Sequence, residues 1–153
     1  MSVKQIVNRQ YREQVNKASS SVRSLPMPKE GWIRTVRKAL GMSGAQLGRK
    51  MGKTRAAISN IEKAELSGGV TIAAMEQLAE ALGCRFVYAI VPEAQIEGVI
   101  EKQAEKKAEG LVRKANQHMA LEAQSLESDK VAYEVDRLKQ GFIKDAPADL
   151  WND

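Results

Sequence analysis

Side chains suited to acid–base or covalent chemistry are scarce in this chain, which holds one histidine, His118, and one cysteine, Cys84. His118 stands in a polar stretch of an expected helix, where a surface residue fits better than a base or a ligand. Cys84 has no histidine near it in sequence and opens an apolar run, so it is expected to be a buried structural thiol rather than a nucleophile. A metal site needs several His or Cys at ligand spacing, and none is present. The glycines match neither a P-loop nor a dinucleotide fingerprint. No enzyme activity, no metal and no cofactor are expected. The residues that carry chemistry are of another kind. Arg55, Ala56, Ser59 and Asn60 fall close together. A guanidinium fork suits guanine O6/N7, a carboxamide suits adenine N6/N7, and a small methyl packs on the thymine methyl. Around them stand Ser43, Gly44, Lys53, Thr54 and Lys63, whose hydroxyl, amide and ammonium groups suit phosphates. Thr54 is equally suited to capping a helix.

Such a cluster needs short helices to present it. Ile33, Val36 and Leu40 recur at helical spacing and are expected to face inward, with Gly41 as a stop. Ser43 can cap the next helix, with Leu47 and Met51 inward. Gly52 tolerates the left-handed backbone of a sharp turn. Thr54 then opens a third helix with Ile58 and Ile61 inward, and small Gly48 and Ala57 suit a close crossing of the pair. Glu65–Gly69 reads as a loop. Thr71 caps a fourth helix with Ile72, Met75, Leu78, Ala79 and Leu82 inward. Residues 84–91, rich in β-branched and aromatic side chains and ended by Pro92, read as a strand. A lone strand needs a partner edge, and the same strand of a second copy, with Phe86, Val87, Tyr88 and Ile90 in the pairing, is the simplest supplier. The competing reading is an extended segment lying on its own helices.

The flanks read as helices. Residues 2–18 carry Ile6 among Lys4, Arg9, Arg12 and Lys17, and are followed by a linker holding Pro26 and Pro28. After Pro92, a narrow stripe of Ile96, Ile100, Ala104, Ala108, Leu111, Ala115 and Met119 predicts a helix packed on another helix. A last helix is expected near Lys130–Gln140, capped by Ser128, with Val131, Val135, Leu138 and Phe142 on one face. The Leu150-Trp151 pair in the tail is either docked or a short recognition motif. The organisation expected is thus 1–28 basic helix and linker, 29–83 helix-turn-helix domain, 84–92 dimerising strand and 93–153 acidic helical extension. The fold class is mainly α, with one short β-strand.

Charge follows the same division. Residues 1–93 hold 15 Lys/Arg against 7 Asp/Glu, while residues 94–153 hold 9 against 12. A basic front suggests a nucleic-acid partner and an acidic back a different role, although a basic surface alone also serves solubility. Aromatics make up only 5% of the chain, which suits Ala/Leu/Ile-packed helices. No run approaches the length of a membrane span and no secretory signal is evident. A cytoplasmic protein is expected, and the lone thiol agrees.

The framework Arg37, Leu47, Gly52, Ile58, Ser59 and Glu62, followed by Leu78-Ala79 and Leu82-Gly83, resembles the phage-repressor/Cro type of helix-turn-helix domain, the XRE family, over residues 32–83. That resemblance implies a repressor-like fold and sequence-specific binding of double-stranded DNA. It assigns base-reading to Arg55, Ala56 and Asn60 with Ser59 accessory, and it implies an ion pair within the domain between Arg37 and Glu62. The family usually has Gln where this chain has Gly44, so the side-chain contact to phosphate is absent and a backbone amide would serve instead. Gly31-Trp32-Ile33-Arg34, the Leu82–Pro92 segment and the overall length resemble the mobile mystery protein A family. This implies pairing with a Fic-domain protein and an antitoxin-like or autorepressing role on a palindromic operator. The Ser/Thr-x-x-x-Glu-Gly/Asn segment of many Fic inhibitors is missing. The alternative from another class is a protein-interaction module that binds or neutralises the co-encoded partner, with DNA binding secondary.

Overall fold

A computed structural model of the chain describes residues 1–121 and 127–152. Helices form over α1 (Val3–Val22), α2 (Trp32–Ala39), α3 (Gly44–Met51), α4 (Arg55–Ser67), α5 (Ile72–Ala81), α6 (Ile96–Leu121) and α7 (Ser128–Asp145). None of the described helices is long and apolar enough to cross a membrane. The chain divides into two compact units, Ser24–Ala89 and Met1–Arg23 with Ile90–Asp153.

The first unit holds α2 to α5 around Ile33, Leu47, Ile58, Leu78 and Leu82, with Val36, Met42, Met51, Ile61 and Met75 packed against them. Leu47 and Ile58 are almost wholly buried, and burying each such side chain contributes roughly 1.5–3 kcal/mol. Side-chain caps set the helix starts. Ser43 Oγ accepts the Gln46 N–H and the Gln46 side chain accepts the Ser43 N–H, a reciprocal box. Thr54 and Thr71 accept the N–H groups of Ala57 and Ala74. The start of α2 has a different cap. Glu65, near the end of α4, accepts the N–H groups of Trp32 and Ile33 at 2.7 and 2.9 Å. A long-range carboxylate thus satisfies two of the first amides of α2 and suits the positive end of its dipole.

Several expectations change here. The stretch expected as a loop, Glu65–Gly69, begins inside α4, which continues to Ser67 before Gly68 turns left-handed. Leu40 and Ile72 are 53% and 49% exposed rather than inward. Leu40 sits at the C-cap of α2 and Ile72 is the first residue of α5, so both lie beyond the turns that meet the core.

The strand expected over residues 84–92 does not form. A strand exists by its ladder, and no second strand occurs among the described residues. From Arg85 to Val91 no backbone group is bonded to another, while the Cys84 N–H donates to Ala79 O. Cys84 is exposed rather than buried. Val87, Tyr88 and Ile90 are exposed by 67%, 68% and 95%.

In the second unit α6 and α7 pack side by side. Among the described residues, the buried positions of α6 are Ala104, Ala108 and Val112. Spacing of four residues carries the seam to Val112, so Leu111 and Ala115 face solvent, contrary to the expected stripe. Val131, Val135, Leu138 and Phe142 of α7 are half-buried, as their spacing implied. That helix begins two residues earlier than expected, with Glu127 rather than Ser128 at its N-cap and no side-chain cap bond. The tail pair splits. Leu150 is buried and its carbonyl accepts from Gln103, whereas Trp151 is exposed. Lys107 donates to the Asp149 carbonyl.

Residues of α1 at a spacing of one turn hold the segment before α6. Asn16 Oδ1 accepts the Ile96 N–H at 2.8 Å and its amide donates to Glu97. The buried Ser19 hydroxyl points to the carbonyls of Pro92 and Ala94, and Arg23 donates to Ala94 as well.

Candidate nucleic-acid interface

The turn between α3 and α4 is close. Gly52 caps α3 with φ 66°, a conformation favourable to glycine. Lys53 N–H donates to Gly48 O at 2.7 Å. A Cβ on Gly48 would stand 2.5 Å from the Lys53 carbonyl oxygen, so only glycine permits this approach. The turn sets the direction of α4, whose inner side buries Ile58 and Glu62.

The outer side of α4 presents Arg55, Ala56, Ser59, Asn60 and Lys63, all exposed. Their positions follow the turns of one helical face. The sequence cluster is therefore one surface in space. Lys53 and Thr54, also exposed, precede it in the turn. Thr54 Oγ1 is engaged as a cap at 3.1 Å; its hydroxyl proton is still available to an acceptor. Ser43 is engaged in the same way at the start of α3.

Behind this face, Arg37 and Glu62 meet in a bidentate pair, Nε to Oε1 at 2.7 Å and Nη2 to Oε2 at 3.2 Å. Arg37 Nη1 also donates to Met42 O at 2.9 Å. One guanidinium thereby ties α2, the turn before α3, and α4 together. Its pKa is raised above the ordinary value, chiefly by the hydrogen bond to Glu62 and against the cost of burial. Removing one partner of a buried pair costs about 3–5 kcal/mol, much of it for the charge left behind.

Beside the face lies a cleft of about 580 Å³, bounded by Arg34, the Ser43–Ala45 start of α3, Arg55 and Lys63. Gly44 sits against the Arg55 stem, with 3.8 Å between its would-be Cβ and Arg55 Cγ. Arg34 was not singled out by its sequence position. Its spacing from Arg37 on α2 would have placed the two on neighbouring turns of one side. Gln46 and Glu65 were also missed. Gln46 at the third position after Ser43 is a capping-box signal readable in sequence, whereas nothing local marks Glu65 as the cap of a distant helix.

Charge sorts itself around this surface. Glu30 pairs with Lys38, Glu62 with Arg37, and Glu65 caps α2. Arg34, Arg49, Lys50, Lys53, Arg55 and Lys63 form no ion pair among the described residues. No group of three or more His, Cys, Asp or Glu among those residues is placed to hold a metal.

Residues 33–88 match the family model described as helix-turn-helix. Comparison with curated proteins and with solved structures finds no match. The close turn at Gly48, the outward face of α4 and the family match agree that residues 33–88 fold as a helix-turn-helix.

Proposed function

We propose that this protein is a cytoplasmic, sequence-specific transcriptional regulator that works as a homodimer on a palindromic operator. The observation that carries the reading is the exposed face of α4, on which Arg55, Ala56, Ser59 and Asn60 stand together while Ile58 and Glu62 hold the opposite side in the core. Arg55 reads guanine and Asn60 adenine in the major groove, Ala56 meets a thymine methyl, and Ser59 assists. Lys53 and Lys63, with the hydroxyls of Ser43 and Thr54, bind phosphates on either side and set register. At the start of α3 the amides of Gly44 and Ala45 carry no hydrogen bond among the described residues. Both residues line the cleft with Arg34 and Arg55, and in this reading their amides receive a phosphate without the family's glutamine.

A dimer is favoured by the uncovered apolar run Val87, Tyr88 and Ile90 and by its unbonded backbone. Two modules also multiply a discrimination that is only about 1–3 kcal/mol per bidentate base contact. The resemblance to the mobile mystery protein A family supports autorepression, antitoxin-like and alongside a Fic-domain partner. Selecting bound duplexes from random DNA tests the reading. The expected product is a palindrome whose half-sites lie about one helical turn apart. Recovery of single asymmetric sites, at every protein concentration, would reject the dimeric operator, and no enrichment at all would reject sequence reading.

A further inference from the structure

We infer that each copy carries, next to its DNA-reading helices, an apolar seat for Ile90 of a second copy, and that the two chains pair antiparallel about Tyr88. The inference rests on the dimer proposed above and specifies its register and its seat. The run from Arg85 to Val91 has no backbone hydrogen bonds, and it is bounded by a bonded Cys84 N–H and by Pro92, which has no N–H to give. Tyr88 is its midpoint. A two-fold axis there pairs the whole run with itself and leaves the proline outside the ladder. Shifting the axis one residue toward the C-terminus would set Pro92 opposite Phe86 and lose a bond in each half.

That register decides which side chains meet. Successive side chains of an extended chain alternate sides, so Phe86, Tyr88 and Ile90 share one. The Phe86 and Tyr88 rings are stacked with centroids 5.8 Å apart, as that sharing requires. Phe86 is half-buried on the rim of a groove of about 350 Å³ walled by Trp32, Val36, Met75 and Ala79, with Ile33 and Leu78 of the core beneath. Arg85 is its only charged lining residue. An axis at Tyr88 places the second copy's Ile90 directly opposite Phe86, where cross-strand side chains touch. Ile90, 95% exposed in the single chain, is thereby brought to the groove. The arrangement is self-complementary: each copy offers one groove and one isoleucine. A second copy is favoured over an unrelated occupant because exposed Tyr88 and Ile90 continue the same segment that lines the groove through Arg85, Phe86 and Val87.

Cross-linking and Trp32 emission test this in the full chain. In a Cys84→Ser background, Tyr88→Cys should form an intermolecular disulfide on mild oxidation. Val87→Cys and Ala89→Cys should cross-link only when mixed, because they oppose each other. In a Trp151→Phe background, Trp32 emission should shift to the red on dilution through the dimer dissociation. Ile90→Ser, which removes a side chain that the monomer leaves in solvent, should weaken the dimer on the order of 100-fold, tenfold for each of two burials. A chain that sediments as a dimer but fails to cross-link at residue 88, or whose Trp32 emission ignores dissociation, overturns the seat and register while leaving dimerisation intact. A chain that sediments as a monomer at every concentration that binds DNA overturns both.

Discussion

Arg55 and Lys53 lie two residues apart yet should fail in different ways. The Arg55 fork belongs to the exposed face of α4, while Lys53 belongs to the turn that precedes it. A base contact is lost at one position of the site, whereas a phosphate contact is lost for every duplex alike. Arg55→Ala should therefore cost about 1–3 kcal/mol on the preferred duplex, flatten the preference at one base pair, and keep most of the salt dependence. Lys53→Ala should weaken all duplexes by a similar factor and reduce the salt slope by about 0.9 per subunit. Titrations of matched and mismatched duplexes at several salt concentrations separate the two, and a sequence-independent loss in Arg55→Ala would remove it from base reading. Neither side chain supports the fold by an ion pair among the described residues, so the losses read as recognition. Glu62 differs: a change there also breaks the buried pair with Arg37.

At the scale of the element, the meeting of α3 and α4 depends on one missing methyl. Gly48→Ala would drive a Cβ onto the Lys53 carbonyl oxygen and open the turn, which should cost about 1–3 kcal/mol as overpacking. Gly44→Ala meets the Arg55 stem at 3.8 Å and Ile58 Cγ2 at 4.0 Å, both ordinary contacts, and should stay within about 0.5 kcal/mol of the parent or gain from helix propensity. Urea unfolding of the two variants checks the contrast, and equal midpoints would show that the turn relaxes without cost. The start of α6 supplies a pH test. The Glu97 carboxyl is held below the usual 4.5, first by the Asn16 amide, then by its own backbone N–H, with Arg12 adding to the same direction. A lowered folded-state pKa gives stability that is present above the unfolded value and lost as the pH falls through the folded one. Between about pH 5 and pH 3 the parent should lose more stability than Glu97→Gln, which keeps a hydrogen-bond acceptor but does not titrate. Parallel acid dependences would mean that the carboxylate is not linked to folding. These elements also mark what the sequence could reveal. Ser43, Thr54 and Thr71 act within three residues of themselves, so their caps were readable. Glu65 capping α2 and Asn16 capping α6 act across 33 and 80 residues, and no local pattern announces either. The face Arg55, Ala56, Ser59 and Asn60 was legible because one helical period generates it. The strand at residues 84–92 was not, because propensity describes a side chain's preference while a ladder needs a second edge.

Across the whole molecule the net charge is concentrated. Residues 24–89 hold 10 Lys/Arg against 5 Asp/Glu, a surplus equal to the net +5 of the chain, while the remaining residues balance at 14 against 14. Three of those five acids, Glu30, Glu62 and Glu65, are engaged within the unit. The surplus of positive charge therefore resides in the unit that holds the helix-turn-helix, and that unit closes its own core around Leu47, Ile58 and Leu78. A different dependence governs α1. Its bonds run to Pro92, Ala94, Ile96 and Glu97, so a cut after Glu93 removes all of these partners but Pro92. A fragment of residues 24–92 should fold, keep the base preference of the full chain, and keep its salt slope per half-site, because counterion release follows the cations that touch phosphate. A fragment of residues 1–93 should bind a half-site equally well but lose helical signal beyond that of the deleted residues, since an isolated helix of 20 residues without its packing partner is marginal in water. Circular dichroism and duplex titrations of the two fragments decide the matter. Loss of base preference in fragment 24–92 with its helices intact would mean that recognition draws on the other unit, whereas an unchanged α1 in fragment 1–93 would mean that its clasp on residues 92–97 contributes little.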